Sequence, residues 1–178
     1  MTTMLDSLFK RIGYKPGQQV TFADLPEFLS LLALQFPFEN GAVLRNERIS
    51  MTKTGLTEAL LNNKRGGLCY DLNAFLYHVL TELGFSVHMV RGTVFNPKEQ
   101  AWALTGTHVA VILRESDETY LLDTGFGINL PLAPFRSQVN PSPQKQELTV
   151  SGKQRQIKEI TFLKWIRERG GRPATHFR

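Results

Sequence analysis

At 178 residues and 42% hydrophobic content, the chain can build one substantial domain or two small ones around a real core. Its single cysteine, Cys69, can close no internal disulfide and build no cysteine zinc site, so a reducing, cytoplasmic setting and no bound metal are expected. Residues 1–134 carry 11 Lys and Arg against 13 Asp and Glu, net −2, whereas residues 135–178 carry 10 against 3, net +7. The basic excess therefore belongs to the tail, and the body offers no basic face for nucleic acid. Residues 1–10 lack an apolar stretch of signal-peptide length and include Asp6. The apolar run over 28–38 is broken by Ser30, Gln35 and Pro37, short of the about 20 residues a membrane span needs.

In chain order, the spacing predicts a short helix over 6–11 and a longer one over 24–35. In the second, Leu25, Phe28, Leu29 and Leu32 share a face and Pro26 sits in the first turn. Pro37 ends it and leaves Phe38-Glu39-Asn40 in a loop. A third helix is expected over 56–62, stopped by Gly66-Gly67. The strongest signal follows: Leu72, Phe75, Leu76, Val79, Leu80 and Leu83 form one helical stripe, closed by Gly84. Cys69 falls in its first turn, directly after the glycine pair.

The pattern then turns to β. Phe85, Val87 and Met89 alternate within 85–95, and Asn96-Pro97 ends that run. Strands are predicted over 108–113 and 119–123, split by a polar turn, with Gly125 and Gly127 opening a loop beyond. Past Pro134, 140–144 reads as loop and 162–169 as a helix. Helices followed by strands make an α+β chain: a helical domain over 1–84, an antiparallel β domain over 85–134, and a basic, poorly ordered tail over 135–178.

A cysteine nucleophile works as its thiolate, which the free N–H groups and dipole of a helix start stabilise. Cys69 has that placement, Arg65 adds positive potential, and the glycines permit close approach. Cys69 also reads as a small core side chain, since Leu72 and Leu76 share its face, and the sequence leaves both readings open. The hairpin supplies a partner. A two-residue turn at Glu115-Ser116 sets His108 directly opposite Asp123, while a turn at Ser116-Asp117 makes Asp123 its diagonal neighbour on the same face. Either way the carboxylate can fix the imidazole tautomer and stabilise the imidazolium. A strand histidine is otherwise often solvent-facing, and an aspartate at a strand end a turn former. No hairpin register read from the sequence places an acid opposite His78, His88 or His176. Cys69, His108 and Asp123 are thus the candidate triad.

The stretch Arg65-Gly66-Gly67-Leu68-Cys69-Tyr70-Asp71-Leu72-Asn73 resembles the nucleophile motif of the arylamine N-acetyltransferases. In the family's order stand Pro37-Phe38-Glu39-Asn40 before it, and Thr107-His108-Val109, Asp123-Thr124-Gly125-Phe126-Gly127 and Pro131-Leu132 after it. The resemblance covers about 6–134. It implies a cysteine-proteinase-like fold, a helical domain followed by a β domain. It implies a ping-pong reaction in which Cys69 takes an acetyl group from acetyl-CoA and hands it to an aromatic amine, hydrazine or N-hydroxyarylamine. His108 would take the thiol proton and later the amine proton. Phe38, Val94 and Phe126 match the arylamine pocket, Thr105-Gly106 a stretch near CoA, and Glu39 with Arg65 an ion pair bracing the cysteine loop.

Asp71 stands where Glu is commoner in the family, and Thr124 where Val is commoner. The larger departure is the tail, which shows no recognisable third, β-rich domain, so the acetyltransferase is expected to be truncated and impaired. Similar chains continue after the Pro-Leu stretch with a segment like Val-Pro-Phe-Ser-Gly. The codons GTT CCG TTC TCA GGT, read one base out, give Phe-Arg-Ser-Gln, which is Phe135-Arg136-Ser137-Gln138 here. The tail is therefore expected to be out of frame. Two other readings share the site: a Cys-His-Asp hydrolase or transglutaminase-like protein acting on peptide or glutamine amides, and a non-catalytic remnant.

Overall fold

The computed structural model describes residues 3–15, 19–96, 101–102, 106–128, 130–136, 146–148 and 160–163. Helix α1 (Met4–Ile12) starts on a reciprocal cap: the Asp6 amide donates to Thr3 Oγ1 (3.1 Å) and the Thr3 amide to the Asp6 carboxylate (3.0 Å). It ends at Gly13, whose φ of 70° is left-handed. Helix α2 (Leu25–Gln35) carries Pro26 in its first turn and buries Leu25, Phe28, Leu29 and Leu32, the face expected of it.

Phe9, Tyr14 and Phe28 pack as tilted and edge-on aromatics with centroids 5.4–6.4 Å apart. Arg11 ties the helix ends together. Its guanidinium donates to the Leu60 carbonyl and to that of Gln35 (2.8 Å) and lies 4.2 Å from the Phe36 ring centroid.

After the short α3 (Gly41–Leu44) comes α4 (Lys53–Leu56), which widens into a π-helical turn over Thr57–Asn62. The third helix thus begins earlier than position 56, because Thr52 Oγ1 accepts the Gly55 amide (3.1 Å) and caps it. The wide turn delivers the chain, through an Arg65 N–H to Ala59 carbonyl bond (3.1 Å), into the glycine pair.

Helix α5 (Cys69–Glu82) is the central element. It buries Leu72, Phe75, Leu76, Val79 and Leu80 and packs against both β1 (Ser86–Asn96) and β3 (His108–Glu115). One core joins Leu8, Phe28, Leu60 and Leu76 of the helices to Val111, Leu113 and Leu122 of the strands. Helical and β halves are therefore stabilised by the same buried apolar surface. Among the described residues no helix is long and apolar enough to cross a membrane.

The remaining strands are β2 (Ala101–Trp102), β4 (Glu118–Leu122), β5 (Phe135–Arg136), β6 (Gln146–Leu148) and β7 (Ile160–Leu163). The sheet runs β5-β4-β3-β1-β7-β6, with β2 on β1, and its pairings are antiparallel. Glu115 pairs Glu118 across Ser116 and Asp117, both at positive φ (48° and 62°). Two left-handed residues match the strand twist, which selects the Ser116-Asp117 turn over the Glu115-Ser116 one.

The helix predicted over 162–169 is corrected at its start: 160–163 is strand β7, paired with 91–94 of β1. The open edge of β1 offers a row of unpaired N–H and C=O groups, and satisfying them outweighs a short helical pattern. Residues 164–169 lie outside the described residues. The described part of the tail thus sits in strands, with β5 on β4 and β7 on β1.

Candidate functional site

The glycine pair is required by close approach. A Cβ on Gly66 would stand 2.1 Å from the Pro37 carbonyl, and one on Gly67 would stand 2.6 Å from Asp71 Cβ. The segment lies against 37–39, with the Gly67 amide donating to the Pro37 carbonyl (3.2 Å) and the Glu39 amide to the Gly67 carbonyl (3.0 Å). Leu68, extended, then starts α5, and its amide donates to the Asp71 carboxylate (2.9 Å). Burial, with the Glu39 charge adding to it, holds Asp71 above the ordinary carboxylate range despite that bond. Cys69 is thereby fixed in the first turn of α5, partly exposed.

His108 opens β3, and its Nε2 meets Asp123 Oδ2 at 2.5 Å. His108 is 4% exposed and Asp123 3%. Asp123 Oδ1 accepts from Asn73 Nδ2 (2.8 Å) and the Gly125 amide (2.8 Å), so both carboxylate oxygens are engaged. The Cys69 thiol lies 3.7 Å from the Thr107 carbonyl and near enough to the His108 ring to help raise its pKa. With Nε2 engaged by Asp123, Nδ1 is the ring nitrogen left to exchange a proton with the thiol. The three candidate residues come together.

Burial pulls the His108 pKa down. The Asp123 hydrogen bond, then the Cys69 one, and the charges of both groups outweigh it and hold the imidazole at about 9. At neutral pH this ring is an imidazolium, its charge balanced by the Asp123 carboxylate. A folded-state pKa above the ordinary 6.5 adds stability that is fully present below 6.5 and lost as pH rises through about 9.

Asn73 belongs to this junction, a place the residue pattern alone does not assign it. It is fully buried one turn beyond Cys69. Besides Asp123, its Nδ2 reaches the Val109 carbonyl (2.7 Å), and its Oδ1 accepts from the Thr124 amide (2.9 Å) and hydroxyl (3.3 Å). One amide thus joins α5, β3 and the loop after β4. An asparagine inside an apolar helix is buried only with partners, and these lie far along the chain.

Gly125 shows how tight this junction is. A Cβ there would stand 2.7 Å from Cys69 Cα and 2.8 Å from Asn73 Nδ2. Gly125→Ala is expected to lower stability by about 1–3 kcal/mol and to slow alkylation of Cys69, read by thermal melting and by iodoacetamide labelling. An alanine variant matching wild type in both would show that the junction yields freely.

The Phe126 ring stands edge-on to His108, centroids 5.2 Å apart at 82°. Phe38 is 47% exposed, and its ring lies 3.2 Å from where a Cβ on Gly127 would be. Val94 is half-buried on β1. Gly106 has φ 73° and its carbonyl accepts the Tyr70 hydroxyl (2.6 Å), while Thr105 lies outside the described residues. The expected Glu39–Arg65 pair is corrected. Arg65 pairs with Glu47, which Arg45 also holds (3.0 Å), while the Glu39 carboxylate takes the Gly41 amide. Glu39 sits at the start of α3, where unpaired amides need an acceptor, and Glu47 is the carboxylate within reach of Arg65.

A cysteine in the first turn of a central helix, facing a His–Asp pair on an antiparallel sheet, defines the cysteine-proteinase-like fold. The N-acetyltransferase family model matches residues 21–171, a range that runs past Pro134 into the basic segment, and the chain belongs to the arylamine N-acetyltransferase family. It is 51% identical to the uncharacterized acetyltransferase YvcN of Bacillus subtilis over 76% of this chain and 53% of that protein. It is 36% identical to the probable arylamine N-acetyltransferase 3 of Dictyostelium discoideum over 71% of this chain and 42% of that one. The chain spans about half the length of the curated relatives it matches. The crystal structure of a Bacillus cereus arylamine N-acetyltransferase superposes with TM-score 0.76 at 32% identity, covering 91% of this chain and 69% of that one. That enzyme has a Cys-His-Glu triad, whereas the buried acid here is Asp123.

Proposed function

We propose that this chain is an acetyl-CoA-dependent arylamine N-acetyltransferase that works through a thioester on Cys69. The observation that carries the reading is the buried His108–Asp123 pair, 2.5 Å apart, set against the Cys69 thiol at the start of α5. The thiolate attacks the acetyl carbonyl of acetyl-CoA, the C–S bond to CoA breaks, and the leaving thiolate takes the proton from His108. An amine then attacks the new thioester, His108 accepts the amine proton, and the acetylated amine departs as the Cys69 thiolate is restored. Asp123 keeps the ring oriented and stabilises its charge throughout.

Phe38 and Phe126, with Val94, supply apolar walls suited to an aromatic amine, hydrazine or N-hydroxyarylamine. Thr105-Gly106, just before the histidine strand, is where the acyl donor would pass. A reducing, cytoplasmic setting would keep the thiol free.

Intact-mass measurement after mixing with acetyl-CoA tests the proposal. One acetyl group is expected on Cys69, discharged when an arylamine is added. No adduct, or an adduct elsewhere, would overturn it. Acylation by a peptide or glutamine amide in place of the CoA thioester would move the protein to the hydrolase or transglutaminase-like class.

A further inference from the structure

His108 sits where the sheet is thinnest. Its partner on β1 is Gly92, the last rung of that ladder, and β4 pairs β3 only as far as Val111. A terminal rung held from one side frays, and a catalytic ring on it needs another support.

The support comes from the residue after the nucleophile. The Tyr70 hydroxyl, partly buried, donates to the Gly106 carbonyl at 2.6 Å. The amide of the same glycine donates to Thr93 Oγ1 (3.2 Å), and Thr93 is only 6% exposed. Gly106 has φ 73°, a left-handed turn that lets its carbonyl face α5 while its amide faces β1. Both polar groups of one residue, two positions before His108, are therefore held from two elements. The residue between, Thr107, presents its carbonyl to the Cys69 thiol at 3.7 Å. Burial, with the Cys69 charge adding to it and that of Arg91 opposing it, keeps the Tyr70 phenol above its ordinary value, so it remains a donor at working pH.

We infer that Tyr70 is a positioning residue: its hydroxyl latches the 106–107 turn to α5 and so sets how the Thr107 carbonyl and the His108 ring stand against the Cys69 thiol. This rests on Cys69 acting as the acyl-transfer nucleophile. A phenylalanine would fill the same space and pack as well, so the hydroxyl alone is at issue.

The test is the pH profile of Cys69 alkylation by iodoacetamide in the full chain, compared between wild type and Tyr70→Phe. The variant is expected to label about fivefold more slowly at neutral pH, the worth of one hydrogen bond, with the midpoint of its profile displaced. Thr93→Val removes the other hold on Gly106 and is expected to shift the profile in the same direction, whatever the folding of the first variant. A wild-type thiol that labels quickly, with both variant profiles superimposed on it, overturns this inference alone, even if melting temperatures fall. A wild-type thiol that labels like a free one overturns the acyl-transfer reading and this inference with it.

Discussion

Cys69→Ala is expected to abolish acetyl-enzyme formation while leaving the fold in place. The residue is partly exposed, and its thiol lies 3.7 Å from the Thr107 carbonyl, so the variant loses one atom at the edge of the core. Alanine is also the best helix former, which suits the first turn of α5. The cap from Asp71 to Leu68, the Asn73 contacts and the His108–Asp123 pair do not pass through the sulfur. Melting temperature should therefore change by only a few degrees, whereas turnover should fall more than about a thousandfold, because an alanine methyl cannot receive the acetyl group. Single-turnover mass measurements with acetyl-CoA check it. An acetyl adduct that persists at the wild-type rate in Cys69→Ala would place the nucleophile elsewhere.

How legible the site was depends on which force set each part. The helix stripe from Leu72 to Leu80 and the Phe28 face were readable because burial imposes a period on the sequence, and the structure buries those residues. The hairpin register was narrowed to two choices by the spacing of His108 and Asp123. It was settled by the φ values of Ser116 and Asp117, for which neither residue is a strong signal. Strand β7 was misread because its place depends on the open edge of β1, a backbone demand that leaves little trace in side-chain pattern. The partner of Arg65 was misassigned for a related reason. Several carboxylates lie nearby in sequence, and the choice between Glu39 and Glu47 is made by which of them is already capping α3. Asn73 was passed over because a polar side chain in a helix gives away its burial only when its distant partners, Asp123 and Thr124, are known.

Asp123→Asn should leave the site standing and invert its proton logic. Asp123 Oδ1 accepts two donors, Asn73 Nδ2 and the Gly125 amide, so the oxygen of a replacing asparagine must take that side. Its NH2 group then points at His108 Nε2, which must become an acceptor and send the ring proton to Nδ1. That nitrogen, the one left for Cys69, can then no longer take the thiol proton. Turning the amide over would restore the tautomer but set NH2 against two buried donors, at a cost of about 1–3 kcal/mol for each group left unpaired. Turnover should fall by a factor on the order of ten thousand, as tautomer loss does in a serine-protease triad. The pH dependence of stability gives a second, independent readout. Asp123 is the partner that most raises His108, to about 9 from an ordinary 6.5. The stability gap between wild type and variant should be full below 6.5, shrink from there upward, and close as pH passes about 9. Thermal melts across that range, beside turnover at neutral pH, test both halves. A variant turning over within tenfold of wild type, or a gap that widens with rising pH, would show that Asp123 does not hold the imidazolium.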